Sequence, residues 1–301
     1  MKTKDKSKTS VNDKKWLKQI GGDKGKVKSK QNKDKANYSK EYKIFVRRSI
    51  WKKAIIIAIQ VGLLVLLISL WEVLAKTGRI NVFITSSPTR IWNTIKDLFD
   101  SGTLFHHIGV TLYEALLGFF IATIAGTIIA MILWWNETIR KVLDPYIVVL
   151  NSLPKIALGP ILIVWVGIGT ESIVAMAVLI MIVITIISML NAFTACDENK
   201  IMLMRSMRAN KFQVLYKLII PNAFCDFISV LKINVGLTWV GTIMGEYLAS
   251  RAGLGYLIVY GGQVFKLDLV MASTVILCIL AALMYFIVAF FEKRAYKHRE
   301  K

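Results

Sequence analysis

Three histidines, His106, His107 and His298, and three cysteines, Cys196, Cys225 and Cys278, are the side chains of this 301-residue chain best suited to metal or nucleophile chemistry. Their spacing supports neither: there is no C-x-x-C pair, no H-E-x-x-H, and the histidines are scattered without ligand spacing. A phosphate-binding G-x-x-x-x-G-K-[ST] loop and a G-x-S-x-G elbow are also missing, so the sequence offers no catalytic, cofactor-binding or metal-binding residues. What chemistry remains is recognition and conduction. It rests on polar or helix-breaking residues inside apolar runs, namely Asn151, Pro154, Lys155, Pro160, Lys232, Trp239 and Glu246, and on one basic segment between two such runs. An ionisable or helix-breaking residue at membrane depth is expected to line a protein interior or a water-filled path.

The basic segment is residues 197–221, DENKIMLMRSMRANKFQVLYKLIIP. Met204, Met207, Phe212, Leu215, Leu218 and Ile219 recur at helical spacing with Lys and Arg between them, which predicts two short amphipathic helices ended by Pro221. Flanked by apolar runs, the segment should protrude from a membrane and needs a partner or a folded neighbour. Asp197, Arg205, Ser206, Met207, Arg208, Ala209, Asn210, Lys211, Phe212 and Pro221 are its candidate docking residues. Met207 and Phe212 are the expected anchors, and Arg205, Arg208 and Lys211 the steering charges.

With 55% hydrophobic residues, the chain reads as an integral all-α membrane protein. Six apolar runs, 54–70, 115–135, 146–167, 172–190, 227–247 and 269–291, each approach the ~20 residues needed to cross ~30 Å of hydrocarbon. The net charge is +20, and residues 1–53 alone hold 19 Lys/Arg against 5 Asp/Glu. Residues 1–45 should form a basic tail without fixed structure, drawn to anionic lipid and not to nucleic acid, ahead of a membrane domain over 46–301. Placing Arg140, Lys141, the 197–221 segment and both termini on one side concentrates the basic residues there, so both termini are expected in the cytoplasm of a multi-pass plasma-membrane protein. Between the first two spans, Ser87 is the expected N-cap and Pro88 the first residue of an amphipathic helix lying on the membrane surface. Gly241 and Gly245 allow close helix contact, and Lys232 sits near enough to its helix end to snorkel.

Several of these stretches resemble one family. The run from Leu150 to Ser172, LNSLPKIALGPILIVWVGIGTES, is similar to the third-span region of ABC-importer permeases for nitrate, sulfonates and taurine. Arg251–Ile258, RAGLGYLI, resembles the segment after their fifth span. Thr111–Phe119 resembles the start of their second, with Glu114 where many members carry Arg. The cytoplasmic-loop signature is matched at Leu218, Ile220 and Pro221, but Met202-Leu203-Met204 replaces Glu-Ala-Ala and Arg208 replaces the turn glycine. The resemblance implies a type I importer permease fold working as a pair of permeases. ATP would be bound and hydrolysed by separate ATPase subunits, and an external binding protein would deliver a small anionic or zwitterionic solute. A vitamin precursor such as the thiamine pyrimidine is the alternative solute; a secondary transporter or channel is the alternative of another class.

Overall fold

A computed structural model describes residues 54–299 in one run, with a few positions between 42 and 52. The basic tail expected over 1–45 lies outside the described residues up to residue 41. Helices, and no strands, make up the regular structure of the described residues: α1 (Ala54–Lys76), α2 (Val82–Thr85), α3 (Pro88–Asp100), α4 (Thr103–Trp135), α5 (Glu137–Ser152), α6 (Gly159–Val166), α7 (Thr170–Thr194), α8 (Glu198–Ser206), α9 (Lys211–Val214), α10 (Ile220–Ala249), α11 (Leu254–Gln263) and α12 (Leu267–Arg299). Five continuous helical stretches are long and apolar enough to cross a membrane, α5 with the chain to Val166 supplying a sixth.

The third expected span, 146–167, is not one straight helix. α5 starts at Glu137, ends at Ser152, and meets the 155–166 stretch at 86°. Leu153 is extended, with ψ of 139°, and Pro154 has left the helical region, with ψ of 81°. Proline cannot donate at residue 154, and the residue before it is pushed out of the helical region. A 3-10 turn, Lys155–Leu158, then leads into α6, where Pro160 is tolerated in the first turn.

The core of residues 72–299 is a three-helix stack of α4, α7 and α10. Small residues set its spacing: a Cβ on Gly241 would lie 2.5 Å from the Ala177 Cα, and one on Gly245 2.8 Å from the Ile173 Cα. The G-x-x-x-G pair of the sequence is thus the line along which α10 meets α7. Midway, fully buried Asn234 donates to Thr123 at 3.0 Å and accepts from Thr185 at 3.1 Å, so one amide joins all three helices. A satisfied polar node of this kind fixes register where apolar packing alone would permit sliding.

The direction of each helix follows from its end contacts. Thr111 near the start of α4 touches Leu254, while Trp135 at its end touches Lys211. α4 and α7 therefore run toward the 197–221 segment and α10 runs away from it. Lys232 pairs with Glu292 on α12 at 2.9 Å and lies 5.5 Å over the Tyr285 ring. Ser87 caps α3 as expected, its Oγ accepting from the Arg90 N–H with Pro88 first in the helix. Arg90 then ties α3 to α12 through Asp268 at 2.7 Å, an acceptor shared with Ser86.

Candidate functional site

Residues 197–221 form a folded unit on the end of the stack. Asp197 accepts from the Asn199 N–H at 2.9 Å and starts α8, whose first turn also carries Glu198, the charge a helix N-terminus favours. α8 stops in a tight reversal: Arg208 N–H donates to Arg205 and Ala209 N–H to Met204 at 3.0 Å, while Arg208 has φ of +59°. These are the two bonds of a Schellman ending, which normally takes glycine at the residue Arg208 fills. Met204 and Ala209, which flank it, turn inward together against the bundle core.

Asn210 then starts α9 with a reciprocal capping box, its side chain accepting from Gln213 N–H at 2.8 Å while Gln213 accepts from Asn210 N–H at 2.9 Å. The helix does not end at Pro221. Leu215–Ile219 form a π turn in which the Ile220 N–H reaches back to Leu215, and Pro221 falls in the first turn of α10. The wider turn absorbs the bond that Pro221 cannot donate, so α9 and α10 run on as one stretch from Lys211 to Ala249.

The two faces of this unit differ sharply. Val214, Leu215 and Ile219 are buried with Leu133, Met189 and Phe193. Cys196 lies in the same cluster, and burial pushes its thiol up, away from the reactive thiolate. Met207 and Phe212 stand outward at 73% and 63% exposed, and Tyr216, stacked on Phe212 at 6.4 Å, extends the strip. Met202 and Leu203 are exposed as well. Sequence reasoning omitted these last three residues; the signal was there, since Met202, Leu203 and Tyr216 are large apolar or aromatic residues off the inward-facing spacing.

The basic residues divide. Lys211 is not a free steering charge: its ammonium donates to the Trp135 carbonyl at the end of α4 and lies 5.4 Å over the Trp135 ring. It serves as a C-cap for α4. Arg205 lines a cavity of about 250 Å³ with Arg140 and Glu137 of α5, and Arg208 is exposed. Ser206 bonds back to Leu203 within its own helix at 2.7 Å.

The other candidates fall in two places. Asn151, Pro154 and Pro160 are exposed around the α5–α6 break, and half-buried Lys155 reaches back to the Asn151 carbonyl at 3.4 Å. Trp239 and Glu246 lie in the interior instead. Trp239 is packed with Met181, Phe119 and Leu257, and its Nε1 has no acceptor. Glu246, 2% exposed, accepts the Gly255 N–H at the start of α11. Gly253, at φ +116°, and Gly255 approach so closely that a Cβ on either would sit 2.6 Å from the Glu246 carboxylate. No group of three or more metal-ligating side chains occurs among the described residues.

Comparison with known proteins gives a consistent pattern. Residues 118–297 match the family model described as "Binding-protein-dependent transport system inner membrane component". SsuC of Bacillus subtilis, named for aliphatic sulfonates transport, is 26% identical over 77% of this chain and 84% of its own length. The taurine transport system permease TauC of Escherichia coli is 25% identical over 80% of this chain and 90% of its own. The formylaminopyrimidine transport permease ThiX of Halalkalibacterium halodurans is 29% identical over 64% and 76%. In structure, the chain superposes on the inward-facing MetNI methionine ABC transporter with a TM-score of 0.58 at 20% identity, covering 64% of this chain and 96% of that one. A bacterial alginate ABC transporter gives a TM-score of 0.57 at 12% identity, covering 81% and 98%. These two likenesses concern the fold.

Proposed function

We propose, from the premise that this chain belongs to the family of binding-protein-dependent transport system inner membrane components, that 197–221 is the surface through which a separate ATPase subunit drives it. The chain is a multi-pass permease subunit of an ABC importer for small solutes. One observation carries the docking reading: a short, doubly capped unit is packed rigidly beneath the stack, yet presents Met207, Phe212 and Tyr216 to solvent. Exposing large side chains on a preorganised frame is how an interface keeps its ordering cost low.

In this reading the segment faces the cytoplasm, as do both termini, and an external binding protein supplies the solute on the other side. Two permeases work as a pair. α5 fits that reading, because none of its 16 residues is buried within the chain and its surface is open to a second permease. The solute is small and anionic or zwitterionic, of the sulfonate or taurine type named for two of the relatives. The ThiX relative supports a pyrimidine vitamin precursor as the second reading.

Truncating Met207 or Phe212 to Ala should cost on the order of 1–3 kcal/mol of association with the ATPase. The measurement is complex assembly together with ATPase activity stimulated by the loaded binding protein; wild-type values in both reject the docking role. The purified chain alone should neither bind nor hydrolyse ATP, and turnover in a preparation free of the ATPase subunit would overturn the division of labour. Competition between taurine and a formylaminopyrimidine for uptake into proteoliposomes holding the whole transporter separates the two solute readings.

A further inference from the structure

At the end of the stack away from 197–221, two carboxylates from different helices meet with no cation beside them. Glu114 of α4 is 1% exposed and Glu246 of α10 is 2% exposed. Both close on the same turn: the Leu254 N–H donates to Thr111, one helical turn before Glu114 on α4, and the next N–H, that of Gly255, donates to Glu246 on α10. None of the ion pairs among the described residues includes either one. Glu114 Oε1 accepts from the Thr170 hydroxyl at 2.9 Å, and Glu246 Oε2 accepts from the Gly255 N–H. The remaining oxygens, Glu114 Oε2 and Glu246 Oε1, are buried without any protein donor.

Two ionised carboxylates are acceptors only, so they cannot bond each other, and like charges in contact away from water cannot both persist. A single proton resolves every part of this. We propose that Glu114 and Glu246 form a proton-binding site, with one shared proton bridging Glu114 Oε2 and Glu246 Oε1 and fastening α4 to α10. Glu246 is the member that stays charged, because a backbone N–H, that of Gly255, already donates to its carboxyl. Glu114, with one hydroxyl donor, carries the proton. The bridge also holds the turn that starts α11, since Leu254 N–H donates to Thr111 at 2.8 Å and Gly253 N–H to His107 Nδ1 at 3.0 Å.

The other ionisable side chains toward this end of the stack are His106, His107 and Tyr113 on α4, Glu171 on α7, Tyr247 on α10, Arg251 in the turn, and Tyr256 and Tyr260 on α11. Glu171 and Arg251 are exposed, and His107 must be neutral while its Nδ1 accepts a hydrogen bond. Raising the pH withdraws the shared proton, leaves two buried like charges, and loosens the 253–256 turn.

The test is infrared spectroscopy with amide hydrogen exchange, on the chain assembled with its partner subunits in lipid nanodiscs. Wild type should show the carbonyl band of a buried carboxylic acid at neutral pH, shifted in D2O and lost on alkalinisation. Glu114→Gln supplies a permanent N–H donor, so it should remove that band, keep the exchange protection of Leu254 and Gly255, and cancel its alkaline loss. Glu114→Ala supplies none and should lose the protection. If Glu114→Gln fails to accumulate, the wild-type band and its disappearance with pH still decide. A wild-type protein lacking the band, a band unchanged in Glu114→Gln, or protection that follows sodium concentration at fixed pH overturns the proposal.

Discussion

Arg208 sits at φ +59°, a conformation that costs an L-residue with a Cβ roughly 1–2 kcal/mol. The surroundings hold it there: the Arg208 and Ala209 N–H groups close α8, and Met204 and Ala209 bury their apolar surface together. The geometry of a glycine turn is therefore kept without the glycine. Arg208→Gly should stabilise the segment by up to about 1 kcal/mol, the strain relieved less the extra chain entropy of glycine. Arg208→Pro, locked near φ −65° and without an N–H, should open it. Exchange protection at Ala209 reports both, and a loss of protection in Arg208→Gly would mean the guanidinium itself holds the turn. The turn could not be read from the sequence, because arginine is a poor indicator of positive φ. Lys211 escaped for another reason: its partner, Trp135, is 76 residues away, and no local pattern marks a long-range cap.

At the scale of elements, most of the helices follow from hydropathy, since a ~20-residue apolar run has one stable fate in lipid. Their ends do not. α4 extends 12 residues before the expected start of its span at 115, and this added stretch carries His107 and Thr111, which accept the Gly253 and Leu254 N–H groups ahead of α11. Pro221 misled in the opposite direction, as a π turn can carry a helix through a proline that propensity alone would treat as a stop. The G-x-x-x-G of α10 was legible, but its partner on α7 was not. That partner makes a sharp prediction. Gly241→Ala puts a methyl against the Ala177 backbone and should destabilise by about 1–3 kcal/mol, despite the better helix propensity of alanine. Gly236→Ala, on the same helix with nothing within 4 Å, should be neutral or slightly stabilising. Thermal unfolding in detergent compares them, and equal midpoints would mean that α7 and α10 give way more easily than their packing implies.

For the whole molecule, the question is how a force on 197–221, the proposed docking surface, would reach the α5–α6 break. Two rigid connections leave that segment. One is covalent, the unbroken stretch from Lys211 to Ala249; the other is lateral, through the Lys211 contact with Trp135 and the cavity where Arg205 faces Glu137 and Arg140. Asn136 caps α5 immediately after Trp135, accepting from Thr138 and Ile139, so α5 starts where Lys211 holds α4. A displacement of the segment should swing α5 about its start and be taken up at the 86° break, where Leu153 and Pro154 leave the helical region. Nucleotide and solute can bias one equilibrium only if both favour the same arrangement of this break. The prediction is that a cysteine at Asn151 or Pro154 reacts with an aqueous thiol reagent at a rate that changes with the nucleotide state of the assembled transporter. Exposed Cys278 must first be replaced by serine; Cys196 and Cys225 are buried. Met207→Ala with Phe212→Ala in the same background should abolish the nucleotide dependence while leaving the basal rate, because the break is intact and only the drive is lost. Reactivity that ignores nucleotide in the assembled wild-type background would detach the α5–α6 break from the ATPase stroke, whatever the docking segment does.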